Sequence, residues 1–477
     1  RYLKRYVRDN VKVKSQPGHP EGPLVAVIGA GPAGLSAAAY LADAGCKVTI
    51  FEESSRAGGV PRLAPDFRIP DYVVKADIDR IKQMGVRIML NTRIDDPPET
   101  LLEEGFKAVF FAPGFKNDMM PDIPGIDGPG VIGVMEFLRH WQDSEKFKGI
   151  ERVLVIGGGN TAMDAARVSC RLTGKPATVV YRRTQQEMPA WEEEINDMLE
   201  EGNEIIELTA PVKINHENGT LQSLTCLKNK LGEPDQSGRP RPVPVENSEY
   251  DIEADLIIVA IGQEPDYTLK NGSSIQTGRK GQIIVDGETM ETDVPGIYAG
   301  GDVVHGPSYI IQAAADGRIA AEAILKKFKL ANETRLLGFR QPEPDWDAIY
   351  HARTHLMSAQ RPERFPLKGK SNFDLLEKTL TGMQAKLESA RCMQCDLICD
   401  RCVDVCPNRA NVPIKVMPRA GTIHKIVFNE DSLPVKGEVE SFEISQSRQI
   451  IHVDEMCNEC GNCETFCTHS GEPYKTK

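Results

Sequence analysis

The chain has 477 residues, enough for about three domains at roughly 150 residues each, and is 40% hydrophobic and 26% charged. Its net charge of −12 argues against a general nucleic-acid binder, which would usually carry a basic surface patch, so no nucleic acid is expected as a partner. No apolar run reaches the roughly 18 residues of a spanning helix, so no membrane span is expected.

The opening RYLKRYVRDN carries no initiator Met and reads as a helix already under way. Residues 1–21 are therefore expected to be a helical lead-in from a longer polypeptide. No secretory signal is visible. Twelve cysteines are unevenly spread: Cys46, Cys170 and Cys226 lie in the first 390 residues, and nine fall between Cys392 and Cys467. A cysteine-poor body with a cysteine-dense tail fits a cytoplasmic protein with metal sites better than a disulfide scaffold.

PLVAVIGAGPAGLSAAAYLADAGCKVTIFEE predicts strand, glycine turn, helix and strand. Gly29 permits the tight turn, Gly31 lets a pyrophosphate approach the backbone, and Gly34 lets helix and strand pack closely. The phosphates would lie at the helix N-terminus, beside Pro32 and Ala33. Glu52, 23 residues after Gly29, ends the second strand where a carboxylate accepts both ribose hydroxyls of an adenosine.

The pattern recurs at ERVLVIGGGNTAMDAARVSCRLTGKPATVVYRR, where Gly157, Gly158 and Gly159 make the turn and Ala162 replaces the third glycine. Here the second strand ends in Arg182 and Arg183 instead of an acid. A carboxylate would repel a 2′-phosphate, whereas a guanidinium pairs with it, so this site is expected to prefer NADPH. Cys170, on the helix after the turn, is expected to be packing. Glu192, Glu193 and Glu194 are expected to form a solvated helix start, and no catalytic acid or base is assigned.

TDVPGIYAGGDVV (292–304) predicts a strand ending in Gly300, Gly301 and Asp302, followed by a helix whose N-terminal dipole favours a reduced flavin. FFAPG (110–114) and IIVAIGQEP (257–265) flank the second repeat and look like the two crossings into and out of an inserted domain. The expected fold class is α/β. Its first Rossmann-like domain, for FAD, covers 22–117 and 256–330, and the second, for NADPH, covers 118–255.

Residues 1–330 resemble the FAD- and NADPH-binding module of the glutamate synthase small-subunit family, shared with the front half of dihydropyrimidine dehydrogenase. The motifs are GAGPAG, EESSRAGGVPRLAPDFRIP, GGGNTAMD, YRRTQQEMPAWEEE and IYAGGD. The resemblance implies that Gly58 and Gly59 lie against FAD, that Glu52 and Asp302 hold it, and that the arginine pair reads the 2′-phosphate. Further cofactor-binding candidates are Glu53, Val60, Ala112 and Gly114 around the first turn, with Asn160 and Thr161 at the second. Gly262, Gln312 and Ala313 complete the set. No Cys-x-x-Cys lies between the nucleotide motifs, so thioredoxin-reductase chemistry is not expected.

Residues 331–390 are expected to be a polar connecting segment over the surface, with His351 and His355 as solvated helix residues. NFDLLEKTLTGMQAKLESARCMQC resembles the helix that precedes cysteine clusters in the same family. The tail, 391–477, ends in Cys457-x2-Cys460-x2-Cys463-x3-Cys467, the bacterial ferredoxin run. Cys399-x2-Cys402-x3-Cys406-Pro407 supplies the second run. Two [4Fe–4S] clusters fit this pattern better than one zinc site with two CxxC pairs, so a small α+β ferredoxin-like domain is expected.

Crossed ligation puts one cluster on Cys406, Cys457, Cys460 and Cys463. The other takes Cys399, Cys402, Cys467 and one more thiolate. Strict spacing would put that ligand at Asp396, so the choice lies between Cys395, which we favour, and Cys392. The insert between the runs alternates like a hairpin. The tail resembles the C-terminal segment of the larger iron–sulfur flavoproteins named for selenate reduction.

Together these features lead us to expect an electron-transfer flavoprotein enzyme. NADPH would reduce FAD, and electrons would pass to the two [4Fe–4S] clusters and on to a partner domain or subunit, for instance a molybdenum enzyme. The alternatives are the reductase half of a glutamate-synthase-like enzyme, reverse flow generating NADPH, and chiefly a docking subunit.

Overall fold

The computed structural model describes residues 2–11, 21–234, 238–265, 273–278, 281–330, 351, 357–391, 401–428, 434–444, 448–465 and 467. The described chain divides into two compact units: Lys4–Arg340 with Pro362–Thr379, and the remainder, chiefly Leu380–Lys477. Residues 2–10 form the expected helix, Tyr2–Asn10.

The larger unit is built on two five-stranded parallel sheets. The first has the order Ile297–Ala299, Ala108–Phe111, Leu24–Ile28, Lys47–Phe51 and Arg87–Met89. Strands Leu24–Ile28 and Ala108–Phe111 are apolar along their whole length because both faces of the sheet are packed: one against helices Pro32–Asp43 and Ile310–Lys327, the other against residues that include Leu101, Ile275 and Ile283. The chain runs outward from Leu24–Ile28 to one edge and then returns to the other side of that strand. This leaves a switch point at its C-terminal end, where open α/β sheets bind ligands. Helix Pro32–Asp43 packs on helix Ile310–Lys327 so closely that a Cβ on Gly317 would lie 2.2 Å from the Ala33 carbonyl oxygen.

The second sheet repeats this plan in the order Val131–Gly133, Leu256–Val259, Val153–Ile156, Ala177–Val180 and Glu204–Ile206. Strand Leu256–Val259 thus belongs to the second domain, pairing in parallel with Val153–Ile156 and Val131–Gly133. The boundary expected at residue 256 moves past it, because four fully apolar residues need burial on both faces of this sheet. The two crossings hydrogen-bond to each other: Asn117–Asp118 pairs antiparallel with Gln263–Glu264. An antiparallel sheet of Thr209–Glu217, Thr220–Pro234, Pro240–Pro244 and Tyr250–Glu253 is added to the second domain.

Residues 362–379 are not merely laid over the surface. Leu367 and Leu376 are buried in the core of the second domain, and Phe373 packs against that core. The Phe373 ring lies 4.3 Å from that of Trp141. Widely spaced apolar residues in a Pro-rich polar stretch show no periodicity, which is why the segment reads as a plain linker.

In the smaller unit, helix Gly382–Ala390 starts at a capping box of Thr381 and Gln384. Strand Asn411–Lys415 pairs antiparallel with Arg448–His452, and between them Arg419–Phe428 pairs with Pro434–Ile444. The insert is the hairpin that its alternation predicts, although it begins earlier, at Arg419. Among the described residues, no helix is long and apolar enough to cross a membrane.

Candidate functional site

At the first turn each glycine has its own reason. Gly29 has φ +97°, and a Cβ there would lie 2.3 Å from the Ala112 carbonyl oxygen. A Cβ on Gly34 would lie 2.0 Å from the Gly29 oxygen, whereas one on Gly31 would meet nothing within 4 Å. The open approach is therefore at Gly31, the N-cap of helix Pro32–Asp43, whose first turn offers unpaired N–H groups to an anion. Ala33 is buried behind it.

Glu52 is buried, and its two carboxylate oxygens accept the N–H groups of Ala30 at 2.7 Å and Ser54 at 2.8 Å. Each oxygen keeps a second lone pair, so the carboxylate is fixed beside the turn and still able to accept ribose hydroxyls. The Gly58 N–H donates to the Ala30 oxygen at 2.9 Å. A Cβ on Gly59 would lie 2.9 Å from the Gly31 Cα, so Gly58 and Gly59 close down on the turn. Val60 beyond them is exposed. Glu53 is engaged by Arg93 at 2.8 Å and by Lys116. Gly114 has φ +75° and faces open space, while Gly262, with φ +140°, lies against Met119.

Asp302 follows Gly301, whose φ is +76°. One Asp302 oxygen accepts from the Ser308 N–H and hydroxyl, both at 3.1 Å. Burial raises its pKa from the ordinary 3.8, against the lowering effect of the Ser308 hydrogen bonds. The turn is held by a residue that sequence reasoning missed. Asp316 is fully buried in helix Ile310–Lys327, accepts the Gly301 N–H at 2.8 Å and Gln312 Nε2 at 3.0 Å, and lies 3.1 Å from His305 Nε2. An acid within the otherwise apolar run QAAADG is the signal that could have found it. Gln312 thus serves Asp316, and Ala313 packs in the core behind Gly301.

The second turn repeats the logic. Gly157 has φ +147° and abuts the Ala260 carbonyl oxygen, where a Cβ would lie 2.2 Å away. Gly158 packs on the Tyr181 ring, Gly159 faces open space, and Ala162 is fully buried. Asn160 Oδ1 accepts the Trp191 N–H at 3.0 Å, and Thr161 follows it in the first turn of helix Asn160–Thr173. The arginine pair divides. Arg182 is exposed, whereas Arg183 is buried and donates from Nε to the Pro240 oxygen at 2.7 Å. Cys170 is half-buried on this helix, and burial together with Glu201 raises its thiol pKa.

The expected solvated helix start holds for Glu192 and Glu193, which are exposed, but not for Glu194. Glu194 is buried and takes both Arg68, at 2.6 Å, and Arg167, at 3.0 Å. Helix Glu192–Glu200 turns that side inward, and the arginines replace the lost hydration.

In the smaller unit, Cys406, Cys457, Cys460 and Cys463 line one cavity together with Asn411 and His452. Cys402 is buried and Cys467 half-buried, and neither lines that cavity. Cys395, Cys399, Cys392, Asp396 and His355 lie outside the described residues; His351 is exposed. The Ala410 N–H donates to Cys406 Sγ at 3.1 Å and the Glu459 N–H to Cys457 Sγ at 3.4 Å. Burial, the largest single influence on Cys406, pushes its thiol up. The surrounding backbone N–H groups of residues 408–411 outweigh it and favour the thiolate that a metal takes. Among the described residues, no three His, Cys, Asp or Glu side chains are gathered as a single-ion site would need. The four thiols around one cavity suit a cluster, which spreads its ligands over several irons.

Residues 23–317 match the pyridine nucleotide-disulphide oxidoreductase family. YgfK of Escherichia coli K12, a protein named as an oxidoreductase, is 37% identical over 457 residues, covering 95% of this chain and 39% of that protein. The NADP(+)-dependent formate dehydrogenase subunit beta of Moorella thermoacetica is 36% identical over 78% of this chain and 54% of its own. A Cereibacter sphaeroides protein named as a glutamate synthase [NADPH] small chain is 34% identical over 68% of this chain and 82% of its own. Among solved structures, FprA of Mycobacterium tuberculosis shares the fold at 20% identity and TM-score 0.56, over 65% of this chain and 86% of that one. The chain spans about two fifths of the length of YgfK, its 39% share. On the family match and the small-chain relative, the chain belongs to the pyridine nucleotide-disulphide oxidoreductase family, as an oxidoreductase of the glutamate synthase small-chain type.

Proposed function

We propose that the chain takes electrons from NADPH through FAD to two [4Fe–4S] clusters and delivers them to a partner domain or subunit. The observation that carries this reading is the pair of glycine turns, each with an open approach at its helix N-cap but with different ends. Gly31 lies beside the buried acid Glu52, whereas the strand after Gly159's helix, Ala177–Val180, leads to the exposed Arg182. The first arrangement accepts the ribose hydroxyls of an adenosine, which suits FAD. The second leaves a guanidinium for a 2′-phosphate, which suits NADPH. Bound FAD accepts the two electrons of a hydride and releases them one at a time.

The chain's own groups bind and orient. Gly31 and Gly159 admit the pyrophosphates, Asp302 offers an oxygen to a cofactor hydroxyl, and Asp316 holds the Gly301 turn in place. Cys406, Cys457, Cys460 and Cys463 would hold one cluster. Cys399, Cys402 and Cys467, with Cys395, would hold the other. Relatives named as beta subunits, the formate dehydrogenase of Moorella thermoacetica and the NADPH-Fe(3+) oxidoreductase of Geobacter sulfurreducens, support delivery to a partner. We place the chain in the cytoplasm, where thiols stay reduced.

Anaerobic mixing of the purified, FAD-loaded protein with NADPH is expected to bleach the flavin absorbance, with rapid turnover once ferricyanide is supplied. No bleaching by NADPH would overturn the reading.

A further inference from the structure

The loop between Glu52 and Pro70 leaves the first domain and enters the core of the second. Phe67 is buried among second-domain residues. Its ring stacks with Phe373 at 6.3 Å, and the guanidinium carbons of Arg167 and Arg171 lie 4.7 and 4.3 Å from its centroid. The next residue, Arg68, reaches two second-domain helices at once. Its Nε and one terminal nitrogen donate to Asp164 at 2.8 and 2.6 Å, and its two terminal nitrogens donate to Glu194 at 2.6 Å each.

Behind this contact the network continues. Arg167 binds Glu194 and Glu201, Arg171 binds Glu201, and Arg364 binds Asp197 at 2.6 Å. The four arginines Arg68, Arg167, Arg171 and Arg364 face the acids Asp164, Glu194, Asp197 and Glu201, with Glu377 as a fifth at 3.7 Å from Arg364, so every guanidinium in the network meets a carboxylate. Burial opposes the Arg68 charge, yet Asp164 and Glu194 hold the guanidinium firmly protonated.

An inserted domain on two short crossings is expected to move unless its interface is large and well packed. We infer that Arg68 is a positioning residue for flavin reduction. By gripping Asp164 and Glu194 over the Phe67 plug, it pins the second domain to the first, so that NADPH meets the flavin without a domain rotation. The inference rests on the proposed NADPH-to-FAD function. It concerns residues that touch neither glycine turn's open approach, and it gives DFRIP, NTAMD and WEEE one joint role: a clamp between domains.

The test uses the full FAD-loaded chain. Arg68→Met with Asp164→Asn removes one charge of each sign and leaves Glu194 paired with Arg167, so no charge is stranded. Arg68→Lys keeps the charge but loses the two-pronged fork. For the double variant we expect unchanged FAD content, NADPH dissociation constant within about twofold, and flavin bleaching at saturating NADPH slowed about 10- to 100-fold, the scale of a small misplacement. Arg68→Lys should fall between. Hydrogen exchange in residues 63–69 should be slow in the wild type with and without NADPH, and fast in the double variant. Unchanged bleaching with only a lower melting temperature would reduce Arg68 to a structural brace and overturn the inference. So would loss of protection in the wild type when NADPH is added. Wild-type protein that NADPH does not bleach would overturn the functional reading instead, and the exchange experiment would then decide the pin alone.

Discussion

Arg182 and Arg183 are neighbours in sequence and opposites in role, because the bend after strand Ala177–Val180 exposes the first and buries the second. Arg182 stays exposed, whereas Arg183 anchors the added antiparallel sheet through Pro240. A hydrogen bond to a charged group contributes about 1.5–3 kcal/mol. Arg182→Ala is therefore expected to lower the kcat/KM preference for NADPH over NADH by about one to two decades, whereas Arg183→Ala should leave that ratio and lower the melting temperature. A wild type that prefers NADH would sink the assignment. Asp316 and Glu201 act at the same scale through other residues, Asp316 on the Gly301 turn and Glu201 on Arg167 and Arg171. Burial, the largest influence on Glu201, pushes its pKa up, but Arg171 and Arg167 override it and hold the carboxyl below its ordinary value of 4.5. A depressed folded pKa contributes stability that is complete above the unfolded value and is lost as pH falls through the folded one. The melting-temperature gap between wild type and Glu201→Gln should therefore be constant above about pH 5 and shrink progressively below it.

At the scale of elements, what could be read depended on periodicity. The two strand–turn–helix repeats and the hairpin in the cysteine tail announce themselves, because their glycines, apolar runs and alternation are local properties. Strand Leu256–Val259 is equally apolar, but its sheet is chosen by pairing with Val153–Ile156, a partner about a hundred residues away in the chain. The strap of residues 362–379 was illegible for a related reason. Leu367, Phe373 and Leu376 make sense only against Phe67 and Trp141, which the chain brings to them from elsewhere. In the cysteine-rich tail, Cys406 joins Cys457, Cys460 and Cys463 around one cavity, while the choice between Cys392 and Cys395 rests on spacing alone. Cys395→Ala is expected to lose one cluster's iron, about four atoms per chain, and Cys392→Ala none. Iron counting on both variants decides it, and the reverse result would exchange the two ligands.

For the whole molecule, the order of the relay is the testable property. If electrons enter at the second turn and leave through the tail, the sites fail separately. Cys457→Ala with Cys460→Ala should keep flavin bleaching by NADPH within about twofold of wild type, since neither cysteine belongs to the larger unit. It should abolish the cluster's paramagnetic resonance signal after NADPH addition. Bleaching that disappears with the cluster would mean that the flavin is not the entry point.

The sequence by itself determined what local pattern carries: two strand–glycine turn–helix repeats, an acid after the second strand of one and an arginine pair after that of the other, and the spacing of the cysteines. It could do so because a tight turn, a close ligand approach and a ligand spacing constrain residues near one another in the chain. Only the tertiary structure decided that Arg183 is an anchor, that Asp316 holds the Gly301 turn, and that Phe67 and Arg68 bind one domain to the next. Burial and ion pairing are settled by residues far apart in sequence, and no local pattern records which distant charge will face a given arginine.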